Sequence, residues 1–230
     1  MGYHLTGIIS SIFFFLSIAG YLTQIRLIWR RKINVPEQPA TAVLSLNQFS
    51  VSYLAFFSFF IYGFCLERFN HYLVWTRLIA CVLALEIVYE IAKDRRTTAA
   101  IGTFLVLALS LLAALVFLAL GPEITIQGKG LSQALIVCVA VLLAQGYAHQ
   151  INRIRKAGET GAVSWWMHFL TMVKDVSTIA FAVAMGLSAG WPMIIMCSVS
   201  ISTKVIILWQ FEWVKRSPIA LARREVLRDS

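Results

Sequence analysis

Charge is scarce in this sequence, and negative charge is the scarcer kind. Charged residues make up 13% of the 230 residues, about half the share of a typical soluble domain, with 20 Lys and Arg against 11 Asp and Glu. Four cysteines lie in apolar runs without the spacing of a metal site. These features exclude a disordered chain, a disulfide scaffold and a soluble enzyme.

Apolar residues are correspondingly abundant. They make up 59% of the chain, and the mean hydropathy is +0.77. The total approaches what seven transmembrane helices of about 20 residues need. We therefore expect an all-α, multi-pass membrane protein. The apolar runs cover roughly residues 5–28, 43–65, 72–92, 98–120, 131–151, 164–187 and 191–212.

The positive charge is distributed unevenly between the gaps that separate these runs. In or beside gaps one, three and five and the C-terminal tail lie 15 Lys and Arg, whereas Arg68, Arg77 and Lys129 lie in or beside the other gaps. Short positive loops stay in the cytoplasm. We expect the N-terminus outside or in a lumen and the C-terminus in the cytoplasm. Because this topology accounts for the net charge of +9, no nucleic-acid partner is expected.

An internal repeat is visible in the sequence. Gly20–Ile25 and Gly146–Ile151 share the pattern G-Y-x-x-Q-I, and basic residues follow both. In span six, polar residues spaced three or four apart share one helical face. An offset of 123 residues matches this face to span two, with loop one three residues longer than loop five. The matched positions are His168, Thr171, Asp175 and Thr178 with Ser45, Gln48, Ser52 and Ala55.

The repeat predicts a 3+1+3 plan. Two parallel three-helix repeats are joined by a linker helix, and a binding site is expected at their interface near the midplane. The boundaries are 1–96 for the first repeat, 97–130 for the linker, 131–212 for the second repeat and 213–230 for a basic tail.

On these motifs the chain resembles the PQ-loop superfamily, which includes SWEET sugar carriers, cystinosin-like exporters and KDEL receptors. The motif glutamines are present as Gln24 and Gln150, whereas Thr23 and His149 replace the prolines. The resemblance implies the 3+1+3 fold and alternating access through proline-dependent bending. No span is expected to contain an internal proline: Pro36, Pro39, Pro122 and Pro218 fall in loops or tail, and Pro192 starts span seven.

Charged residues within the spans are the main candidates for function, because charge in a bilayer is expensive. Lys174, Asp175 and Lys204 lie near the midplane, and Glu86 lies nearer the cytoplasm. Asp175 or Glu86 would take a coupling proton, and Lys174 or Lys204 would bind an anionic or carboxylated ligand. Adjacent helical residues point about 100° apart, so Lys204 is the expected partner of Asp175. Static ion pairs are the alternative.

Polar residues complete the candidate site. Gln48, Ser52, His168 and Thr171 are expected to bind substrate together with Lys174, Asp175 and Lys204. Gln24, Gln150 and His149 are candidates for gating. A structural role in which the two glutamines bond backbone across the repeat interface is also open.

Three functions remain open. The first is PQ-loop-type transport of a small polar solute, such as a sugar, an amino acid or a carboxylated metabolite, with proton coupling as an option. The second is a non-transporting receptor or membrane assembly factor. The third is a photoreceptor with retinal on Lys204. An enzyme is not expected, no cofactor is expected outside the third case, and homo-oligomerisation is left open. The lipid bilayer is the expected partner throughout.

Overall fold

The computed structural model describes residues 2–35, 37–66, 69–120 and 126–228, and in these ranges every regular element is a helix. Three residues used in the sequence argument, Pro36, Arg68 and Pro122, lie outside the described residues. The helices are α1 (Gly2–Asn34), α2 (Leu46–Phe64), α3 (His71–Arg95), α4 (Thr98–Leu120), α5 (Ile126–Ala157), α6 (Trp165–Ala184), α7 (Leu187–Arg216) and α8 (Pro218–Arg228).

Six of these helices are long and apolar enough to cross a membrane: α1 and α3 to α7. The expected multi-pass character is therefore compatible with the structure. The helices outside this set are the short α8 and α2, which matches the second predicted span in position. Helix α2 has 19 residues, and five of them are Asn, Gln or Ser: Asn47, Gln48, Ser50, Ser52 and Ser58.

Several helices continue past the apolar runs that predicted them. Thus α1 extends to Asn34 and α5 runs from Ile126 to Ala157. The predicted basic tail contains a further helix, α8. Hydropathy marks the apolar part of a helix, whereas backbone hydrogen bonding carries on into its charged ends.

The expectation that no span contains an internal proline is wrong for the seventh. Pro192 lies six residues into α7, because this helix begins at Leu187. Proline has no backbone N–H, so it leaves the carbonyl of Ser188 without its helical donor. The Gln133 side-chain amide on α5 donates to that carbonyl at 3.4 Å. A side chain from a neighbouring helix thus compensates for the missing hydrogen bond.

The helices pack in a mirrored pattern. Helix α1 contacts α6 and α3, and α5 correspondingly contacts α2 and α7. Helix α3 packs on α2, and α7 packs on α6. Helix α4 lies against α3 and α2 and exposes Leu105, Val106, Leu109 and Leu112. Helix α2 thus contacts α5, and α6 correspondingly contacts α1, so helices from the first half of the chain pack on helices from the second half.

Candidate functional site

The two motif glutamines make matching contacts at one end of the bundle. We call it the basic end; the C-termini of α1, α3, α5 and α7 form it. The Gln24 amide donates to the Ala162 carbonyl at 2.5 Å and accepts from the Ser164 N–H at 2.8 Å. The Gln150 amide donates to the Val43 carbonyl at 3.0 Å and accepts from the Ser45 N–H at 2.6 Å. Both glutamines are fully buried. Gln24 of α1 thus binds the start of α6, and Gln150 of α5 binds the start of α2.

The residues that immediately precede the two glutamines join the same contacts. The hydroxyls of Thr23 and Ser164 are 2.9 Å apart, and His149 Nδ1 is 2.7 Å from the Ser45 hydroxyl. Ser164 and Ser45 are the N-caps of α6 and α2. Thr23 and His149 therefore contact the capping serines directly.

The motif glycines allow the helices to approach closely. A Cβ at Gly20 would lie 2.8 Å from Met167 Cα, and one at Gly146 would lie 3.1 Å from Gln48 Cα. The first distance is shorter than real Cβ contacts and the second is tighter than most of them, so α1 packs on α6, and α5 on α2, through glycine.

These contacts correct the predicted alignment of the two repeats. The capping serines, Ser45 and Ser164, correspond at an offset of 119 residues instead of 123. The first connection is therefore seven residues longer than the second, where three were expected. The difference of four residues between the two offsets is about one helical turn. Both offsets therefore match the polar face of α6 to the same face of α2.

Asp175 of α6 is paired with two lysines inside the bundle. Its Oδ1 is 2.5 Å from Lys174 Nζ, and its Oδ2 is 2.5 Å from Lys204 Nζ. All three residues are at most 4% exposed. Lys204 also donates to the Ser200 hydroxyl at 2.7 Å. The expected contact with Lys204 is present. The expectation that Lys174 would not be a main partner is wrong, because its flexible side chain reaches the adjacent carboxylate.

Arg77 of α3 is a third buried cation, and sequence reasoning missed it by counting it with a loop. It is 1% exposed and donates to the hydroxyls of Thr76 at 2.8 Å and Thr178 at 3.2 Å. Its guanidinium carbon lies 4.7 Å from the centre of the Phe14 ring. No carboxylate pairs with it in the described part of the chain. Arg77 lies inside the predicted span 72–92, about 8 Å from its start, and this position could have identified it as a cation within the membrane.

A small cavity adjoins Asp175 and its two lysines. Its volume is about 20 Å³, which leaves room for about one water molecule. Tyr21 and Tyr147, the tyrosines of the two G-Y-x-x-Q-I segments, both line it, together with Ser52 and Ser200. Sequence reasoning did not select these tyrosines, although their shared place in the repeat was a signal.

The other predicted substrate residues lie around this cavity at different distances. Ser52 lines it and accepts from the Gln48 amide at 3.1 Å. His168 is fully buried with its ring edge-to-face on Tyr147, and neither ring nitrogen has a hydrogen-bond partner among the described residues. Thr171 donates to the Met167 carbonyl of its own helix at 2.6 Å. Gln48, His168 and Thr171 are not among the residues that line the cavity.

Glu86 is not part of the central group. It lies nine residues after Arg77 on α3, about half a turn around the helix axis in projection. The charges that act on it are Glu90, Lys93 and Lys32, near the basic end. Glu90 in turn accepts from Trp29 at 2.7 Å and from Lys32. Glu86 therefore lies apart from Asp175 and toward the basic end, as expected from its place in the third span, and its role as a proton carrier stays a prediction.

The buried central charges do not balance. In their ordinary ionised forms, the three cations Arg77, Lys174 and Lys204 outnumber Asp175, so two positive charges are in excess among the described residues at the centre. The cost of such charge inside an apolar bundle is high unless it is neutralised. The arrangement can attract a small anion to the cavity.

No protein-family model matches the chain, and no curated protein matches it in sequence. Membership of the PQ-loop superfamily therefore stays a prediction from the sequence.

Proposed function

We propose that the chain is a seven-helix membrane protein of the PQ-loop type that transports a small carboxylated solute. In this proposal α1–α3 and α5–α7 are two parallel units, and α4 is the linker between them. The mirrored contacts of α1 with α6 and of α5 with α2 support it. So do the matched glutamine and glycine contacts at both helix pairs.

One observation carries the proposed substrate class: Asp175 is held by two lysines beside a cavity, with an excess of buried positive charge. A solute carboxylate that enters the cavity competes with Asp175 for Lys174 and Lys204. A proton on Asp175 would release both lysines to the solute. Solute and proton would then enter together, and the total charge of the site would stay constant for a monoanion.

The cavity as described holds about one water molecule, so transport requires the bundle to open. The contacts of α1 with α6 and of α5 with α2 close the interface between the two units. Opening the central cavity to either side of the membrane would therefore separate at least one of these helix pairs. We propose that the basic end faces the cytoplasm, on the basis of the Lys and Arg distribution.

The test is a ligand screen followed by uptake. Purified protein is melted with monocarboxylates, dicarboxylates, amino acids and neutral sugars, because a ligand of the native state raises the melting temperature. We expect carboxylates to stabilise the protein and to enter proteoliposomes faster at acidic outside pH. Lys204→Met should abolish both effects. Lys215→Met, which removes an exposed lysine of the same helix, is the matched control. Stabilisation by neutral sugars alone would contradict the proposed substrate class.

A receptor or assembly factor remains the second candidate, and the contacts at the replaced prolines favour it. Thr23 and His149 contact the N-cap serines of α6 and α2. Proline at these positions could not make these side-chain contacts, and the helices would be freer to move apart. Binding without uptake would identify this function. A photoreceptor has less support, because the cavity beside Lys204 has a volume of about 20 Å³, far too small for retinal.

A further inference from the structure

A second and much larger cavity opens at the basic end. Its volume is about 1010 Å³, within the range of small-molecule sites. The ends of α1 and α5, the connections after them, and Arg224 of α8 form its walls. We call it the basic cleft.

Positive charge dominates the basic cleft. Five cationic side chains and one carboxylate, Glu159, line it. The carboxylate is already engaged, because Glu159 accepts from Arg31 at 2.9 Å. Four positive charges are therefore in excess. The cations are Arg30, Arg31, Arg153, Lys156 and Arg224.

Two of the guanidinium groups have unused buried donors. The Nε–H groups of Arg31 and Arg153 are inaccessible to solvent and have no acceptor among the described residues. A buried donor without an acceptor costs about 1–3 kcal/mol. An anion in the cleft would supply acceptor oxygens to these groups once the two guanidinium side chains turn toward it.

The walls of the basic cleft are fixed by contacts from behind. Asp94 of α3 accepts from the Thr41 N–H at 2.9 Å, and Arg95 donates to the Thr41 carbonyl at 2.9 Å. On the other wall, Gly161 has a φ of +55°, and a Cβ there would lie 2.8 Å from Val43 Cγ2. The two connections are thus packed on each other, and a ligand would meet a preformed site.

The basic cleft is also joined to the glutamine contacts. Val43 and Ala162 line it, and their carbonyls accept from Gln150 and Gln24. A ligand that bridges the two walls therefore holds α1, α2, α5 and α6 together at this end.

We propose that the basic cleft binds a phosphomonoester. This group carries up to two negative charges and three acceptor oxygens, and it suits forked guanidinium donors. A phosphatidic acid headgroup and a soluble phosphorylated metabolite share this chemistry. The proposal concerns binding at the basic end and stands independently of transport through the central cavity.

The experiment measures binding to the full chain in nanodiscs. The soluble probe is glycerol 3-phosphate, titrated against protein in phosphatidylcholine discs. The lipid probe is phosphatidic acid in the discs, with phosphatidylglycerol, a phosphodiester, for comparison. We expect at least one of the two phosphomonoesters to bind and to raise the melting temperature. Soluble binding points to a metabolite, and stabilisation by phosphatidic acid alone points to a lipid.

The variants place the site. Arg30→Gln with Lys156→Gln changes two exposed cations of the cleft and should weaken binding about tenfold or more. Arg26→Gln with Lys215→Gln removes two exposed cations outside the cleft and should leave the affinity within about twofold. Glu159→Gln frees Arg31 and should strengthen binding, whereas Glu212→Gln, outside the cleft, should not.

Three results would overturn the proposal. The first is that neither glycerol 3-phosphate nor phosphatidic acid binds. The second is an equal loss in the cleft pair and the control pair, which indicates diffuse attraction to the basic end. The third is phosphatidylglycerol binding as strongly as phosphatidic acid, which indicates recognition of negative charge without preference for the monoester.

Discussion

Buried charge is the feature that distinguishes single residues in this bundle. Asp175 is paired with the ammonium groups of two lysines. Arg77 stacks on Phe14, and its hydrogen-bond partners among the described residues are neutral hydroxyls. The aromatic ring offers partial compensation to the guanidinium, because its face is electron-rich. Asp175 thus offsets part of the positive charge that surrounds it, and its carboxylate is the group on which this cluster depends.

We expect Asp175→Asn to destabilise the protein strongly. The substitution keeps the size of the side chain but leaves Lys174 and Lys204 buried without a counter-charge. Losing one partner of a buried ion pair costs about 3–5 kcal/mol. The measurement is the melting temperature of purified protein without ligand.

Rescue variants distinguish charge from shape. Adding Lys204→Met to Asp175→Asn should restore part of the loss, and adding Lys174→Met as well should restore more, because Asp175 pairs with both lysines. If the triple variant is no more stable than Asp175→Asn alone, charge imbalance is not the cause of the loss.

Sequence reasoning reached part of this cluster. Lys174, Asp175 and Lys204 were identifiable because charged residues stand out in apolar runs. Arg77 escaped because it lies close to a span end, where cations are common. Tyr21 and Tyr147 escaped because tyrosine is ordinary in such runs, and their role depends on how the helices face the cavity.

At the scale of elements, the decisive contacts are those of α1 with α6 and of α5 with α2. Each pair meets at a motif glycine and is fastened by a motif glutamine. The repeated pattern predicted that Gln24 and Gln150 could bond backbone across the interface, and the structure has these bonds. The true offset of 119 was not predictable, because helical periodicity leaves shifts of about one turn ambiguous.

We expect alanine at either motif glycine to separate its helix pair. Gly20→Ala places a Cβ against Met167 Cα, and Gly146→Ala places one against Val51 and Gln48. Overpacking of this kind costs about 1–3 kcal/mol. Gly102→Ala on α4 is the control, because nothing lies within 4 Å of its Cβ position. It should leave the melting temperature equal or slightly higher, since alanine favours a helix. Equal effects at all three glycines would contradict the close-packing interpretation.

At the scale of the whole molecule, the charge separates the two ends of the bundle. The cleft cations and the C-terminal Arg and Lys residues of α1, α3, α5 and α7 lie at the basic end. The opposite end holds the starts of α3 and α7. Composition and charge predicted the membrane-compatible helices. The small central cavity and the open basic cleft could not be predicted in this way, because each is lined by side chains from several helices that are far apart in the sequence.

The proposed orientation predicts which end an impermeant reagent reaches. In a cysteine-free background, Ser188→Cys lies exposed at the start of α7 and should react with a membrane-impermeant maleimide added outside intact cells. Lys215→Cys lies exposed at the other end of the same helix and should react only after permeabilisation. The reverse pattern would invert the proposed topology.

A disulfide across one helix pair tests whether the molecule must open to function. The hydroxyls of Thr23 and Ser164 are 2.9 Å apart, so cysteines at these positions are close enough to oxidise with small adjustments. A crosslink there joins α1 to α6 at the basic end and leaves the central cavity unchanged. If the protein transports by opening at this end, oxidation should stop uptake and reduction should restore it, while solute binding from the opposite side persists. The single variant Thr23→Cys is the control for the loss of the threonine contact. Unchanged uptake in the fully crosslinked protein would mean that α1 and α6 do not separate at this end during transport.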